Sequence, residues 1–175
     1  MTHTPDRSAE VIARWMGIPA QLRRALRGVP EKQLSKRAGG EGMTLRETVH
    51  HLVEANLVAS NIIIAALAKS GSTYDWTWVN PGGSWMRRLG YNRAPIGPAI
   101  ATLSALCRHI AAILSVRPGR LRCTVRLFDA PGSPKYTKTV GQILLDEVSH
   151  AREHLQAFRD RPRRGRMLQS RRTSA

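Results

Sequence analysis

The sequence predicts an all-α protein, a four-helix bundle with a long loop between its second and third helices. Four stretches of roughly 20 residues carry apolar side chains at the three- and four-residue spacing of amphipathic helices. Proline and glycine clusters separate these stretches, and only one short run, CTVRLF, favours extended structure. Four consecutive helices without a comparable set of strands favour a bundle.

The first helix is expected from about Ser8 to Val29, where Gly17 and Pro19 should divide it into two segments. Its apolar positions are Ile12, Trp15, Met16, Leu22 and Leu26. Pro30 and the glycines at 39, 40 and 42 then predict a chain reversal.

The second helix is expected to begin at Thr44, because Thr44 and Glu47 have the spacing of a capping box, and Gly71 should close its C-terminal end. Residues 72–100 form the long connection and hold three of the four tryptophans. Long segments of this kind are often functional lids or binding loops, although a simple cover over the core is the alternative.

The third helix is expected from about Gly97 to Val116. The run CTVRLF and the turn DAPGSP predict a short accessory hairpin before the fourth helix. The fourth helix is expected within TVGQILLDEVSHAREHLQAFRD and should end before Pro162.

The length of 175 residues favours one domain. We expect a bundle domain over residues 1–161 and a basic, disordered tail over 162–175. The formal net charge is +16, and the last 17 residues carry seven Arg and one Asp, so they supply +6 of it. Such charge blocks are usually solvated and self-repelling, but nucleic-acid binding through this tail is an alternative.

Cysteine content and hydropathy set expectations for the compartment. Cys107 and Cys123 are the two cysteines and form no CxxC motif, so neither a disulfide framework nor a cysteine-rich zinc site is predicted. Apolar runs such as NIIIAALA are shorter than the ~20 residues of a bilayer span, and no secretory leader is recognisable. The sequence therefore predicts a cytoplasmic protein without a membrane partner.

The fourth helix carries two histidines beside its apolar stripe. His150 and His154 are four residues apart and follow Glu147 on the same flank. One helix commonly gives two ligands to one metal ion with this spacing. A hydrogen-bonded or solvated histidine pair is the alternative interpretation, since such pairs also occur on basic helices.

A third ligand is available on the second helix. At ~100° per residue, His51 borders the inner arc and His50 points further round, toward solvent. The wheel therefore favours His51, although the sequence alone leaves His50 as an alternative. A structural role for His51 is the competing interpretation.

The segments IPAQLRRAL, GMTLRETVHHLVEANLVA and SHAREHLQAF together resemble the DinB/YfiT-like family of four-helix bundle proteins, over roughly residues 12–160. The resemblance implies an up-down-down-up bundle with a long crossover, and a metal site formed by His51, His150 and His154 that holds zinc, nickel or a similar ion. It also implies a frequent homodimer. Relatives include S-transferases that use low-molecular-weight thiols as co-substrates.

Three imidazoles suit divalent transition metals better than magnesium or calcium, which prefer oxygen ligands. A metal with an open position would activate water for hydrolysis of a small-molecule substrate, or a thiol for transfer. Glu147 is the candidate catalytic residue, as a general base or as an acceptor that orients a ligand histidine, and Glu54 is a weaker candidate for either role. The aromatic residues of 74–91 are expected to wall the pocket, and Arg87, Arg88 or Arg93 to attract an acidic substrate.

Two further functions compete with an enzyme. A non-catalytic basic protein would bind nucleic acid through its tail, with an affinity that falls steeply with salt. A metal carrier would bind the ion reversibly without turnover.

Overall fold

A computed structural model describes residues 7–37, 42–79, 83–128, 131–133 and 135–159. The first helical segment is divided as predicted, into α1 (Arg7–Met16) and α2 (Ile18–Leu26), with Gly17 between them and Pro19 in the first turn of α2. The short helix α3 (Glu31–Leu34) follows. The predicted tail, residues 162–175, lies outside the described residues.

The longest helix is α4 (Leu45–Ala68), and its start is fixed by a complete capping box. The Thr44 hydroxyl accepts a hydrogen bond from the Glu47 backbone N–H at 3.1 Å, and the Glu47 carboxylate accepts one from the Thr44 N–H at 2.8 Å. These bonds satisfy two of the N–H groups that a helix start leaves unpaired. Gly71, with φ +80°, turns the chain after the helix.

Two more long helices complete the bundle. After the short α5 (Gly83–Arg88), α6 spans Ile96–Val116, and α7 spans Val140–Arg159. Helix α4 packs against α6 and α7, while α1 and α2 cover the other side of α6 and α7. The fully buried side chains of this core include Trp15, Leu22, Val49, Leu52, Ile63, Leu103, Ile110, Leu114 and Leu144.

A small sheet lies beside the bundle. Strands β2 (Thr124–Phe128) and β3 (Tyr136–Thr139) pair antiparallel in the region of the predicted hairpin. The sheet also contains β1 (Ser72–Asp75), which pairs parallel with β2 and was not predicted. Val125 and Leu127 are buried, so β2 contributes to the same core.

Two of these helices, α4 and α6, are long and apolar enough to cross a membrane by length and composition alone. The uninterrupted apolar runs in the sequence are shorter than a bilayer span, and they therefore underestimated the length of these apolar helices. In the structure the two helices pack against each other within the bundle, and core helices of bundles in general meet the same criteria.

Candidate metal centre

Helices α4 and α7 bring together the three histidines that the sequence singled out. The Nε2 atom of His150 lies 3.0 Å from Nε2 of His51 and 3.0 Å from Nε2 of His154. One ring nitrogen from each histidine lies within 4.8 Å of the others. Among the described residues, these three histidines are the group of metal-ligating side chains close enough together to hold one ion.

The neighbouring His50 takes a different place from the one expected. It does not point to solvent but is 9% exposed, and its ring stacks on Tyr91 with the ring centres 4.4 Å apart. Its Nε2 lies 3.3 Å from the carbonyl oxygen of Ala94. Burial lowers the pKa of His50, so this ring is a neutral packing group outside the three-histidine cluster.

The surroundings keep two of the clustered imidazoles, those of His51 and His154, neutral. Burial, together with the neighbouring His150 and His154, lowers the pKa of His51 to about 4. Burial and His150 lower the pKa of His154 to about 4. The Nδ1 atom of His51 is buried and has no hydrogen-bond partner among the described residues, so a charged ring would be poorly solvated there. Neutral imidazole is the form that binds a metal ion.

The arrangement of the nitrogens fits a metal ion. A neutral imidazole nitrogen carries either one hydrogen or one lone pair, so Nε2 of His150 cannot make two full hydrogen bonds to its two neighbours. Three lone pairs directed at one cation would satisfy all three nitrogens. Imidazole ligands on one zinc ion at ~2.0–2.1 Å lie roughly 3.3 Å apart, close to the 3.0 Å between His150 and each of its two neighbours.

The predicted catalytic residue, Glu147, lies next to this cluster. Its Oε2 atom is 3.8 Å from Nδ1 of His150, and its side chain is 15% exposed. Oε2 also accepts a hydrogen bond from Nδ2 of Asn56 at 3.2 Å. The amide oxygen of Asn56 accepts a bond from Nε1 of Trp15 at 2.7 Å, so a buried chain of polar groups connects α1 through α4 to α7.

Neither Asn56 nor the indole N–H of Trp15 was identified from the sequence. Asn56 occurs five residues after His51 in an apolar run, and Trp15 occupies a predicted core position. An asparagine at an inward position of a long apolar helix is a signal that could have found the first of them, because a buried amide requires partners.

A cavity of about 390 Å³ adjoins the cluster and falls within the usual size range of ligand sites. His51, Glu147 and His150 reach its wall. The apolar part of its lining is formed by Ala55, Val58, Ala59, Ile62, Trp76, Val79, Leu127, Tyr136 and Ile143, and the charged part by Glu54, Lys138 and Asp146 together with Glu147. The cavity therefore offers a mostly apolar chamber beside the histidines.

The long connection contributes to this wall only in part. Trp76 lines the cavity, whereas Trp78 is 65% exposed. Arg87, Arg88 and Arg93 are exposed and are not among the residues that line the cavity, so the expectation that they attract an acidic substrate finds no support in this geometry.

Cys107 is not a candidate nucleophile. It is 1% exposed, and burial together with the charge of Glu147 raises the pKa of its thiol to about 12. The thiol therefore stays protonated near neutral pH and packs as a small core residue.

Comparison with known proteins agrees with the fold. No protein-family model matches the sequence. A protein of Geobacillus kaustophilus (strain HTA426), named a putative metal-dependent hydrolase, is 32% identical over 134 residues, which span 74% of this chain and 72% of the relative.

A solved structure shares the architecture. YfiT from Bacillus subtilis, described as a probable metal-dependent hydrolase with an unusual four-helix bundle topology, matches 90% of this chain and 87% of its own with a TM-score of 0.76 and 18% sequence identity. At that identity the likeness concerns the fold alone, while the Geobacillus relative is similar enough in sequence to establish kinship. The chain belongs to the DinB/YfiT-like family of four-helix bundle proteins.

Proposed function

We propose that this protein is a metal-dependent hydrolase whose His51, His150 and His154 hold one divalent transition metal ion, zinc or nickel, at the end of the cavity. The observation that carries the proposal is the convergence of three imidazole nitrogens beside a cavity of ligand size. The name of the Geobacillus relative supports the same reaction class.

A bound ion would supply Lewis acidity, which lowers the pKa of a water or thiol enough to ionise it near neutral pH. The chain itself supplies the remaining functions. Glu147 lines the cavity and accepts a hydrogen bond from Asn56, which supports a role for its carboxylate as the proton acceptor for a nucleophile entering the cavity. The apolar part of the lining would reduce the access of bulk water to the reacting groups.

The choice between hydrolysis and thiol transfer depends on which nucleophile enters. Water is the nucleophile of our proposal, and a low-molecular-weight thiol co-substrate is supported only by the family resemblance. Both use the same three histidines and the same proton acceptor. An assay series should therefore include ester and amide substrates with and without added thiols.

The first experiment is elemental analysis of the untagged protein and of four variants after reconstitution with zinc or nickel. We expect about one metal ion per chain in the wild type, loss of the metal in His51→Ala and in His150→Ala/His154→Ala, and hydrolytic activity only in metal-loaded protein. His109→Ala is the matched control, because His109 is exposed on α6 and should leave the metal content unchanged. Glu147→Gln should still take up the metal when it is reconstituted with an excess, although with lower affinity, and should lose activity by 100-fold or more.

Absence of metal from the reconstituted wild type, or an unchanged metal content in both alanine variants, would contradict the proposal. Either result would mean that the three histidines serve packing and hydrogen bonding and do not bind a metal.

A further inference from the structure

Glu54 is a charged residue of the cavity that the proposed chemistry leaves unused. It lies three residues after His51, on the same face of α4. Nε1 of Trp85 donates a hydrogen bond to its two carboxylate oxygens at 3.0 and 3.1 Å, and the Tyr91 hydroxyl donates to Oε1 at 2.9 Å. These bonds orient the carboxylate, and none of them joins it to a ligand histidine.

The donors to Glu54 are neutral, so its negative charge stays uncompensated. Burial and the bond to Glu54 raise the pKa of Tyr91 to about 12, which keeps the hydroxyl protonated. Among the described residues, no lysine or arginine forms an ion pair with Glu54. Two donor hydrogens occupy part of the roughly four acceptor sites of a carboxylate, so Glu54 can still accept from a ligand.

The rest of the charged lining does not favour an anionic ligand. Lys138 is the cationic side chain among the described cavity residues, and its Nζ lies 2.5 Å from Oδ2 of Asp146. Its charge is therefore already compensated. In the metal-free protein, Glu54 and Glu147 leave the lining with an excess of negative charge.

The apolar lining indicates the rest of the ligand. Val58, Ile62 and Leu127 give the cavity aliphatic surface, and Trp76 adds an aromatic wall.

We propose that the cavity takes a cationic substrate with an apolar body, an alkyl- or arylalkyl-ammonium compound, and that Glu54 binds its ammonium group. The proposal deepens the hydrolase function proposed above and rests on it for the reaction, although binding itself can be tested without turnover. Because Glu54 lies about one helical turn from His51, ~5 Å along the axis, the ammonium group should lie only a few atoms from the bond that is cleaved.

The test is isothermal titration calorimetry with three probes of equal length: 3-phenylpropylamine, 3-phenylpropan-1-ol and 3-phenylpropionate. Full-length protein is titrated in metal-free and zinc-loaded form, and the zinc content of each sample is measured separately. We expect the ammonium probe to bind most tightly in the metal-free form, where no ion is present to ligate the carboxylate probe. Glu54→Gln, which keeps an acceptor for Trp85 and Tyr91, should weaken its binding about 10- to 100-fold and leave the alcohol unchanged.

Glu153→Gln is the matched control, because it removes the same charge from an exposed position on α7 that does not line the cavity. It should leave all three affinities unchanged. The inference is overturned if the carboxylate probe binds the metal-free protein at least as tightly as the ammonium probe, if Glu54→Gln leaves ammonium binding unchanged, or if the ammonium probe does not bind. A protein that binds zinc without ammonium preference overturns this inference alone, whereas ammonium preference without zinc binding overturns only the hydrolase proposal.

Discussion

Asn56 shows how one buried side chain can organise the candidate site. It is fully buried, and its amide is shared among three helices: the oxygen accepts from Trp15, and the NH₂ group donates to the Leu52 carbonyl at 2.8 Å and to Glu147. A buried amide with all of these partners fixes the rotamer of Glu147 beside His150. Asn56 is therefore a positioning residue that acts through Glu147.

We expect Asn56→Leu to weaken zinc binding about 10- to 100-fold, the usual effect of losing a group that orients the ligands of a metal. The indole N–H of Trp15 would also lose its acceptor, which should lower the free energy of unfolding by about 1–3 kcal/mol. Zinc competition titration and urea unfolding measure the two effects. Asn61→Leu is the control, because the exposed Asn61 makes the same kind of hydrogen bond to the carbonyl four residues earlier, at 3.0 Å. An equal loss of zinc affinity in Asn61→Leu would contradict the role of Asn56.

The low pKa values of His51 and His154 predict how the stability of the metal-free protein depends on pH. Both groups have a pKa of about 4 in the folded chain against an ordinary value of 6.5. Between these values the unfolded chain binds more protons, so the free energy of unfolding should rise with pH from 4 to 6.5 and level off above 7. The change should be on the order of a few kcal/mol.

Urea unfolding of chelator-treated protein between pH 4.5 and 8 measures this dependence. The His51→Gln/His154→Gln variant should show a flatter profile, since neither glutamine titrates. Identical profiles for the two proteins would contradict the assignment of the pH dependence to these histidines.

At the scale of the elements, signals carried by neighbouring residues were sufficient to predict most helices. The capping box of Thr44 and Glu47 predicted the start of α4, and the break at Gly17 separates α1 from α2 as expected. Each of these signals acts within one or two turns of chain, so it is visible in the sequence.

Elements that depend on distant partners were not predictable in the same way. Strand β1 is four residues long and is stabilised by parallel pairing with β2, where Ser72 faces Val125. Nothing within STYD reveals a partner more than 50 positions away. His50 was misplaced for the same reason, because Tyr91, on which it stacks, belongs to the long connection.

At the scale of the whole molecule, the candidate site also combines features that local sequence predicts with features that depend on distant partners. Helical periodicity placed His51, His150 and Glu147 on inward-facing flanks, but only the packing of α4 on α7 shows that His51 and His150 meet across 99 positions. Donors to Glu54 and Glu147 come from other elements and could not be inferred from spacing. The sequence thus predicted the histidine cluster, and tertiary packing determines the cavity beside it.

Metal binding should stabilise the whole fold, because an ion held by His51, His150 and His154 would join α4 to α7, and the unfolded chain does not hold these ligands together. At free zinc 100 times above Kd, the gain is about 2.7 kcal/mol, which should raise Tm by roughly 5–10 °C for a chain of this size. Thermal unfolding by circular dichroism, with zinc and then with excess chelator, measures the shift and its reversal. His109→Ala should keep the shift and His150→Ala/His154→Ala should lose it; an equal shift in the latter would place the stabilising zinc elsewhere.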